Sequence, residues 1–425
     1  MRLIHTADWH IGQSFFEYDR QSEHLCFLQW LRAKVKETGV DALLLAGDVF
    51  DGPNPSAVSQ RMFYGFLREV TTENPRLQIV IIAGNHDSGA RLEAPDPLLK
   101  EMNITVRGAL NHTLEGEIDY NRLIVPLHDA TGNIAAWCLA VPYLRQTTTT
   151  AGRFIDCDGD LGGDDADGVS DGVSGYAVGV GLIYRRLYDM VADKSKPIIA
   201  MGHLQATGAE ISGDDRSERT IIGGLECVPP ESFTGGITYT ALGHLHRAQQ
   251  VSGRSNVRYS GSPLPMSFAE KNNRQGVTLV EITTSGAHHK ADIERIPFTP
   301  PVRLLSIPKE PKPPADILDE IALLPDGDPT ALSPYVEIKA LITEPEPSLR
   351  YRIEEALSHK QARLTRIVSF TPQGEGEAPV AGDSHLQSVN PMDMAAGIFR
   401  KRYGGKEMPE AMRSQLEEVI KEAEQ

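Results

Sequence analysis

Residues 79–87 read Ile79-Val80-Ile81-Ile82-Ala83-Gly84-Asn85-His86-Asp87. Five apolar residues without polar alternation predict a strand buried on both faces, and a glycine then turns the chain into polar residues. The same texture recurs along the first 250 or so positions. Leu3-Ile4 leads to Asp8 and His10, and Ala42-Leu43-Leu44-Leu45-Ala46 leads to Gly47-Asp48. Ile198-Ile199-Ala200-Met201 leads to Gly202-His203, and Ile237 to Leu242 leads to Gly243-His244-Leu245-His246. Between the first three runs lie helix-like stretches, Glu23–Thr38 and Ser56–Glu73. Strand–helix–strand order predicts an α/β fold with parallel pairing, right-handed crossovers and a ligand site beyond the carboxyl ends of the strands. The polar residues fall there.

The chain has 425 residues, enough for two or three domains; 40% are hydrophobic and 24% charged, as in ordinary soluble proteins. That composition excludes a disordered chain, a collagen-like fibre and a coiled coil. No apolar run approaches the roughly 20 residues a membrane helix needs. The N-terminus shows no apolar leader pattern, so no signal peptide is expected. Cys26, Cys138, Cys157 and Cys227 are scattered, which fits a reducing cytoplasm and argues against disulfides or a thiolate zinc site. The net charge of −16 repels polyanions, so a nucleic-acid role would lean on bound cations, a local basic patch or a partner.

Downstream the texture shifts. Val257–Pro263 and Gly276–Ile282 look like strands of an antiparallel sheet, and the proline-rich stretch 297–314 reads as a linker or domain boundary. A strand at 302–307, a helix at 315–324, a strand at 335–342 and a helix at 347–359 predict a small βαβ-type domain. Residues 373–388, rich in Gly, Glu and Ser, read as a tether before two terminal helices, the second carrying the stripe Met408, Met412, Leu416, Val419 and Ile420, which suits docking onto the chain's own core as well as onto a partner. Asp156–Gly181 is crowded with Gly and Asp. Leu161 and Asp167 break an EF-hand reading, leaving a surface loop as the expectation.

The candidate site collects Asp8, His10, Asp48, Asn85, His86, His203, His244 and His246. Residues two apart on an extended segment point the same way, which pairs Asp8 with His10 and His244 with His246. Oxygen and imidazole donors without thiolate suit Mn²⁺, Fe²⁺ or Zn²⁺ better than Ca²⁺. Six or seven such donors exceed one tetrahedral zinc and match two metals sharing a carboxylate. The other histidines considered (His24, His112, His128, His288, His289, His359 and His385) lack this context and read as surface or incidental residues.

Asp8-x-His10, Gly47-Asp48-x-x-Asp51, Gly84-Asn85-His86-Asp87, Gly202-His203 and Gly243-His244-x-His246 resemble the five motifs of calcineurin-like metallophosphoesterases. The wording His5-Thr6-Ala7-Asp8-Trp9-His10 and Tyr259-Ser260-Gly261-Ser262-Pro263 is closer still to the SbcD family of bacterial nuclease subunits. The resemblance covers about the first 285 residues and implies a four-layer α/β/β/α sandwich. Its layout implies a nuclease domain over 1–296, a small α+β capping domain over 301–372, a tether over 373–388 and a helical partner-binding tail over 389–425. It also implies that Asp8, His10, Asp48 and His246 hold one divalent metal, most readily Mn²⁺, and Asp48, Asn85, His203 and His244 a second. His86 would then act on the phosphoester as a catalytic residue, with Asp51 orienting it. The function implied is a cytoplasmic DNA exo- and endonuclease subunit for repair and recombination. Its partners would be an SbcC-type, SMC-like ATPase and DNA, in a homodimer within a heterotetramer. A stand-alone phosphoesterase on nucleotides or cyclic diesters is the alternative.

Overall fold

A computed structural model describes residues 1–145, 175–210, 227–233, 235–286, 288–343 and 346–371, with 399–400, 408–409 and 412–413 beyond them. Two compact units emerge, Met1–Pro301 and Val302–Gln425.

In the first unit β1 (Arg2–Thr6) runs into a hairpin, β2 (Ser14–Phe15) and β3 (Tyr18–Asp19). Helix α1 (Gln21–Thr38), β4 (Ala42–Ala46), α2 (Ala57–Glu73) and β5 (Gln78–Ile82) follow. Two short helices, α3 (Gly89–Glu93) and α4 (Asp96–Leu99), precede β6 (Ile104–Arg107), β7 (Ile124–His128) and β8 (Ile134–Ala140). Then come α5 (Gly175–Met190), β9 (Ile198–His203), β10 (Tyr239–Gly243), β11 (Gln249–Val251), β12 (Arg254–Tyr259), β13 (Gly276–Ser285) and β14 (His288–Pro297).

Apart from the β2-β3 hairpin, these strands form two six-stranded sheets, ordered β14-β13-β1-β4-β5-β6 and β11-β12-β10-β9-β8-β7. β1, β4, β5 and β6 run parallel, as do β12, β10, β9 and β8. Successive side chains explain the apolar runs. Leu3, Leu44 and Val80 face Met201, Ala241 and Ala140 in a core between the sheets. Their neighbours Ile4, Leu43, Leu45 and Ile79 instead meet Phe27, Leu31, Phe63 and Phe66 of α1 and α2. On the far side Leu139, Ile198 and Leu242 meet Val180, Ile183 and Leu187 of α5. The result is the expected helix–sheet–sheet–helix sandwich, its strands buried on both faces.

Four sequence expectations need correction. β12 pairs in parallel with β10 and antiparallel only with β11, whereas β13 is antiparallel to both β1 and β14. Residues 175–181 belong to α5 rather than to a loop, because Tyr176, Ala177 and Val180 have a core to bury against; residues 156–174 lie outside the described residues. The proline-rich stretch does hold the boundary between the two units, at Pro301/Val302, but most of it is not a linker, since β14 reaches Pro297 and the next strand starts at Leu304. His24 is buried in α1, its ring nitrogens 3.1 Å from the carbonyls of Arg20 and Trp9, and is no surface residue.

The second unit alternates β15 (Leu304–Lys312), α6 (Pro314–Ala322), β16 (Tyr335–Leu341), α7 (Leu349–Leu357) and β17 (Arg363–Phe370). All three strands are parallel, and Ile317, Ile321 and Ile353 of the helices pack on Val336 and Ile338. β17 extends the expected βαβ unit by a strand. The tether and nearly all of the helical tail lie outside the described residues.

Candidate metal centre

Five strands of the first unit end at the same place. β1 stops at Thr6, β4 at Ala46, β5 at Ile82, β9 at His203 and β10 at Gly243. Beyond β1 and β4 the backbones stay zipped, with Asp8 N–H donating to Gly47 C=O, His10 N–H to Asp48 C=O and Ile11 N–H to Val49 C=O at 2.9–3.0 Å. That ladder sets Asp8 and His10 beside Asp48. Asp8, His10 and Asp48 on that ladder take φ of 54°, 46° and 48°, and His244 beyond β10 takes 103°. Left-handed backbone at four non-glycine residues costs on the order of 1–3 kcal/mol each and marks a site whose geometry the fold imposes.

Close approach is equally demanding. A Cβ on Gly84 would stand 2.1 Å from Asp48 Oδ1, and one on Gly47 (φ +89°) would stand 2.3 Å from His203 Nδ1. Gly84→Ala or Gly47→Ala therefore moves a donor atom rather than filling space.

The donor atoms converge without enough protons between them. Asp48 Oδ2 lies 3.6 Å from His10 Nε2 and 3.3 Å from His203 Nε2. His203 Nδ1 is 2.9 Å from Ala46 C=O, so that nitrogen carries the proton and donates it. In the neutral ring Nε2 is then a bare acceptor aimed at Asp48 Oδ2 and, at 2.9 Å, at Asn85 Oδ1. Asn85 Oδ1 also lies 3.1 Å from His244 Nδ1. Asp8 Oδ1 accepts the His244 N–H at 2.9 Å, while the buried Asp8 Oδ2 and both buried His10 ring nitrogens have no hydrogen-bond partner among the described residues. Buried acceptors facing acceptors need a cation. Asp8, His10 and His246, then Asp8, Asp48 and His203, and also His10, Asp48 and His86, each gather potential ligand atoms within 4.8 Å of one another.

The electrostatics agree. Burial works against the Asp48 charge, yet His203 and His10 hold its carboxyl well below the carboxylate range. Burial also works to lower His203, but the charges of Asp48 and Asp8 prevail and raise it to about 9. The site holds a proton on His203 tightly because it is built for positive charge, and a divalent ion can take that proton's place.

The structure brings together all the residues singled out, with Asn85 the most exposed. One expected arrangement differs. His86 Nδ1 donates to the backbone carbonyl of Asp51 at 3.0 Å, whereas the Asp51 carboxylate points to His10, Oδ1 lying 3.3 Å from Nδ1. Asp51 thus orients His86 through its main chain, because the turn after β4 aims the side chain elsewhere. Two further residues escaped sequence reasoning. Asp87 accepts the N–H groups of Val49, Phe50 and Gly84, tying the β4 and β5 turns together. Burial and the Asp48 charge push its carboxyl up to about 6. Glu270 accepts from His246 Nδ1 at 3.0 Å. Asp87 was visible as the last residue of Gly-Asn-His-Asp; Glu270 carried no local signal.

Residues 1–248 match the family model described as calcineurin-like phosphoesterase. The chain belongs to this family. A calcineurin-like phosphoesterase is a metal-dependent hydrolase, and the donor set just described fits that chemistry. Residues 300–403 match a second model, described as the type 5 capsule protein repressor C-terminal domain. The SbcD subunit of the SbcCD nuclease from Rhodobacter capsulatus is 36% identical over 409 residues, 94% of each chain. The SbcD of Escherichia coli K12 is 33% identical over 309 residues, covering 72% of this chain and 70% of its own. That of Bacillus subtilis is 33% identical over 287 residues, 66% of each. This phosphoesterase therefore groups with the SbcD nuclease subunits.

Proposed function

We propose that the protein is a DNA nuclease subunit that hydrolyses phosphodiester bonds with two divalent cations, Mn²⁺ for preference. In this reading Asp8, His10, Asp48 and His246 hold one cation, and Asp48, Asn85, His203 and His244 the other. The observation that carries it is the convergence of His10 Nε2 and His203 Nε2 on Asp48 Oδ2, with Asp8 Oδ2 and both His10 ring nitrogens buried without a hydrogen bond among the described residues. When bound, the cations would supply charge neutralisation at the scissile phosphate and a water of lowered pKa.

The chain's own residues do the rest. His86 commits Nδ1–H to the Asp51 carbonyl, leaving Nε2 for the substrate. Protonated there, it donates to a phosphoryl oxygen and then releases the proton to the departing 3′-oxygen. Asp87 clamps the turns carrying Asp48 and Asn85, so the two halves of the donor set keep their spacing.

Similarity to the Rhodobacter capsulatus SbcD over 94% of the sequence supports a nuclease over a stand-alone hydrolase of small phosphodiesters. It also supports a cytoplasmic complex with an SbcC-type ATPase, acting in repair and recombination as a heterotetramer around a homodimer. No described helix is long and apolar enough to cross a membrane. The test is a Mn²⁺-dependent assay with end-labelled duplex, hairpin and single-stranded DNA beside a cyclic dinucleotide. Cleavage of DNA alone is expected. Efficient turnover of the cyclic dinucleotide with intact DNA would reverse the reading.

A further inference from the structure

Glu270 is a carboxylate held in the interior of the first unit, with none of its surface exposed. A buried carboxylate is costly unless hydrogen-bonded, so its partners state its purpose. Oε2 accepts the Met266 N–H at 2.9 Å, and Oε1 lies 3.0 Å from Nδ1 of His246, itself buried. The segment that carries Glu270 is fixed at several points. Phe268 is buried with its ring 5.5 Å from that of Phe15, the buried Arg20 donates to Pro265 C=O at 2.8 Å, and Asn273 N–H donates to Glu270 C=O at 2.8 Å. Glu270 therefore does not adapt to His246; His246 adapts to Glu270.

We infer that Glu270 is a positioning residue for the metal centre, fixing the tautomer and ring orientation of His246. With Nδ1–H donated to the carboxylate, Nε2 keeps its lone pair as the ring's remaining donor atom. The ring sits edge-on to His10, centroids 5.2 Å apart, and groups with Asp8 and His10 as a candidate ligand set. A carboxylate behind a ligating imidazole raises its basicity and removes its rotational freedom, and loss of such a partner typically weakens metal binding 10- to 100-fold. Among the contacts described, His246 is the expected ligand that Glu270 touches, so the effect falls first on the cation that His246 would hold.

This inference rests on the reading of His246 as a ligand, and the experiment separates the two. Mn²⁺ is titrated calorimetrically into the full chain, Glu270→Gln, Glu270→Asp, His246→Ala and the Glu270→Gln/His246→Ala pair, with thermal unfolding of each metal-free protein. Glu270→Gln is expected to weaken one binding event roughly 10- to 100-fold and leave the other unchanged. Glu270→Asp should recover part of the loss, and Glu270→Gln should add nothing once His246 is Ala. Unchanged Mn²⁺ affinity in Glu270→Gln, an equal loss in the His246→Ala background, or a variant that unfolds without metal would overturn the inference and leave Glu270 a structural residue. His246→Ala with both affinities intact would instead overturn the ligand assignment.

Discussion

Gly84 and His86, two residues apart, separate geometry from chemistry at the centre. Gly84→Ala drives a methyl against Asp48 Oδ1 and its amide nitrogen, at 2.1 and 2.3 Å. It should weaken Mn²⁺ binding at least about tenfold, read by calorimetry, with secondary structure retained by circular dichroism. His86→Gln removes the proton donor and no expected ligand. It should lower DNA cleavage by about 10²–10⁴ while two Mn²⁺ still bind by metal analysis; a lost metal would make His86 a ligand. At this scale much was legible, because Asp8, His10, Asp48, Asn85, His203, His244 and His246 each sit within a few residues of a buried strand end. Glu270 was not, since it meets His246 across 24 positions of chain. Nor was the aim of the Asp51 side chain, which the turn after β4 sets.

Helix α1 begins at a buried ion pair. Arg20 Nη2 and Glu23 Oε2 are 3.0 Å apart, both side chains nearly inaccessible, and Arg20 also donates to Gln13 Oε1 and Pro265 C=O. Glu23→Ala leaves that guanidinium buried without its counter-charge and should destabilise the first unit by about 3–5 kcal/mol, measured by urea unfolding. Strand β1 offers a pH test. His5 donates from Nε2 to Leu242 C=O and accepts the Tyr239 hydroxyl at Nδ1, satisfied as a neutral ring. Burial, aided by Arg295, lowers it from 6.5 to about 3. Between those values the unfolded chain takes up a proton the folded one refuses, so stability falls as pH drops from 6.5 and is whole above it. His5→Gln should flatten the slope of unfolding free energy against pH by up to about 1.4 kcal/mol per pH unit; an unchanged slope would show that His5 is not buried neutral. Apolar runs revealed the central strands because both faces are covered. Strand direction left no such mark on β12, and the polar alternation of Arg363-Leu364-Thr365-Arg366 hid β17. Glycines likewise masked the first turns of α5, where packing overrides propensity.

For the whole molecule, a net charge of −16 repels a phosphodiester backbone, and cations at the point of cleavage would offset that repulsion where it matters most. The two-sheet sandwich supplies that place by ending five strands around Asp48, whose Oδ2 lies within 3.6 Å of both His10 Nε2 and His203 Nε2. The layered α/β architecture was legible from the spacing of buried runs. The organisation after residue 371 was read from composition, an apolar stripe and the layout of the resemblance, and nearly all of it lies outside the described residues. The central claim is that Asp48 is shared by two cations. Asp48→Asn keeps the acceptor for the His86 N–H, which Oδ1 now provides at 2.9 Å, while removing the charge. A calorimetric Mn²⁺ titration of this variant beside the unaltered chain tests the claim directly. Two binding events in the unaltered chain, both weakened together in the variant, are predicted; a single event, or one of two left untouched by the substitution, would contradict it.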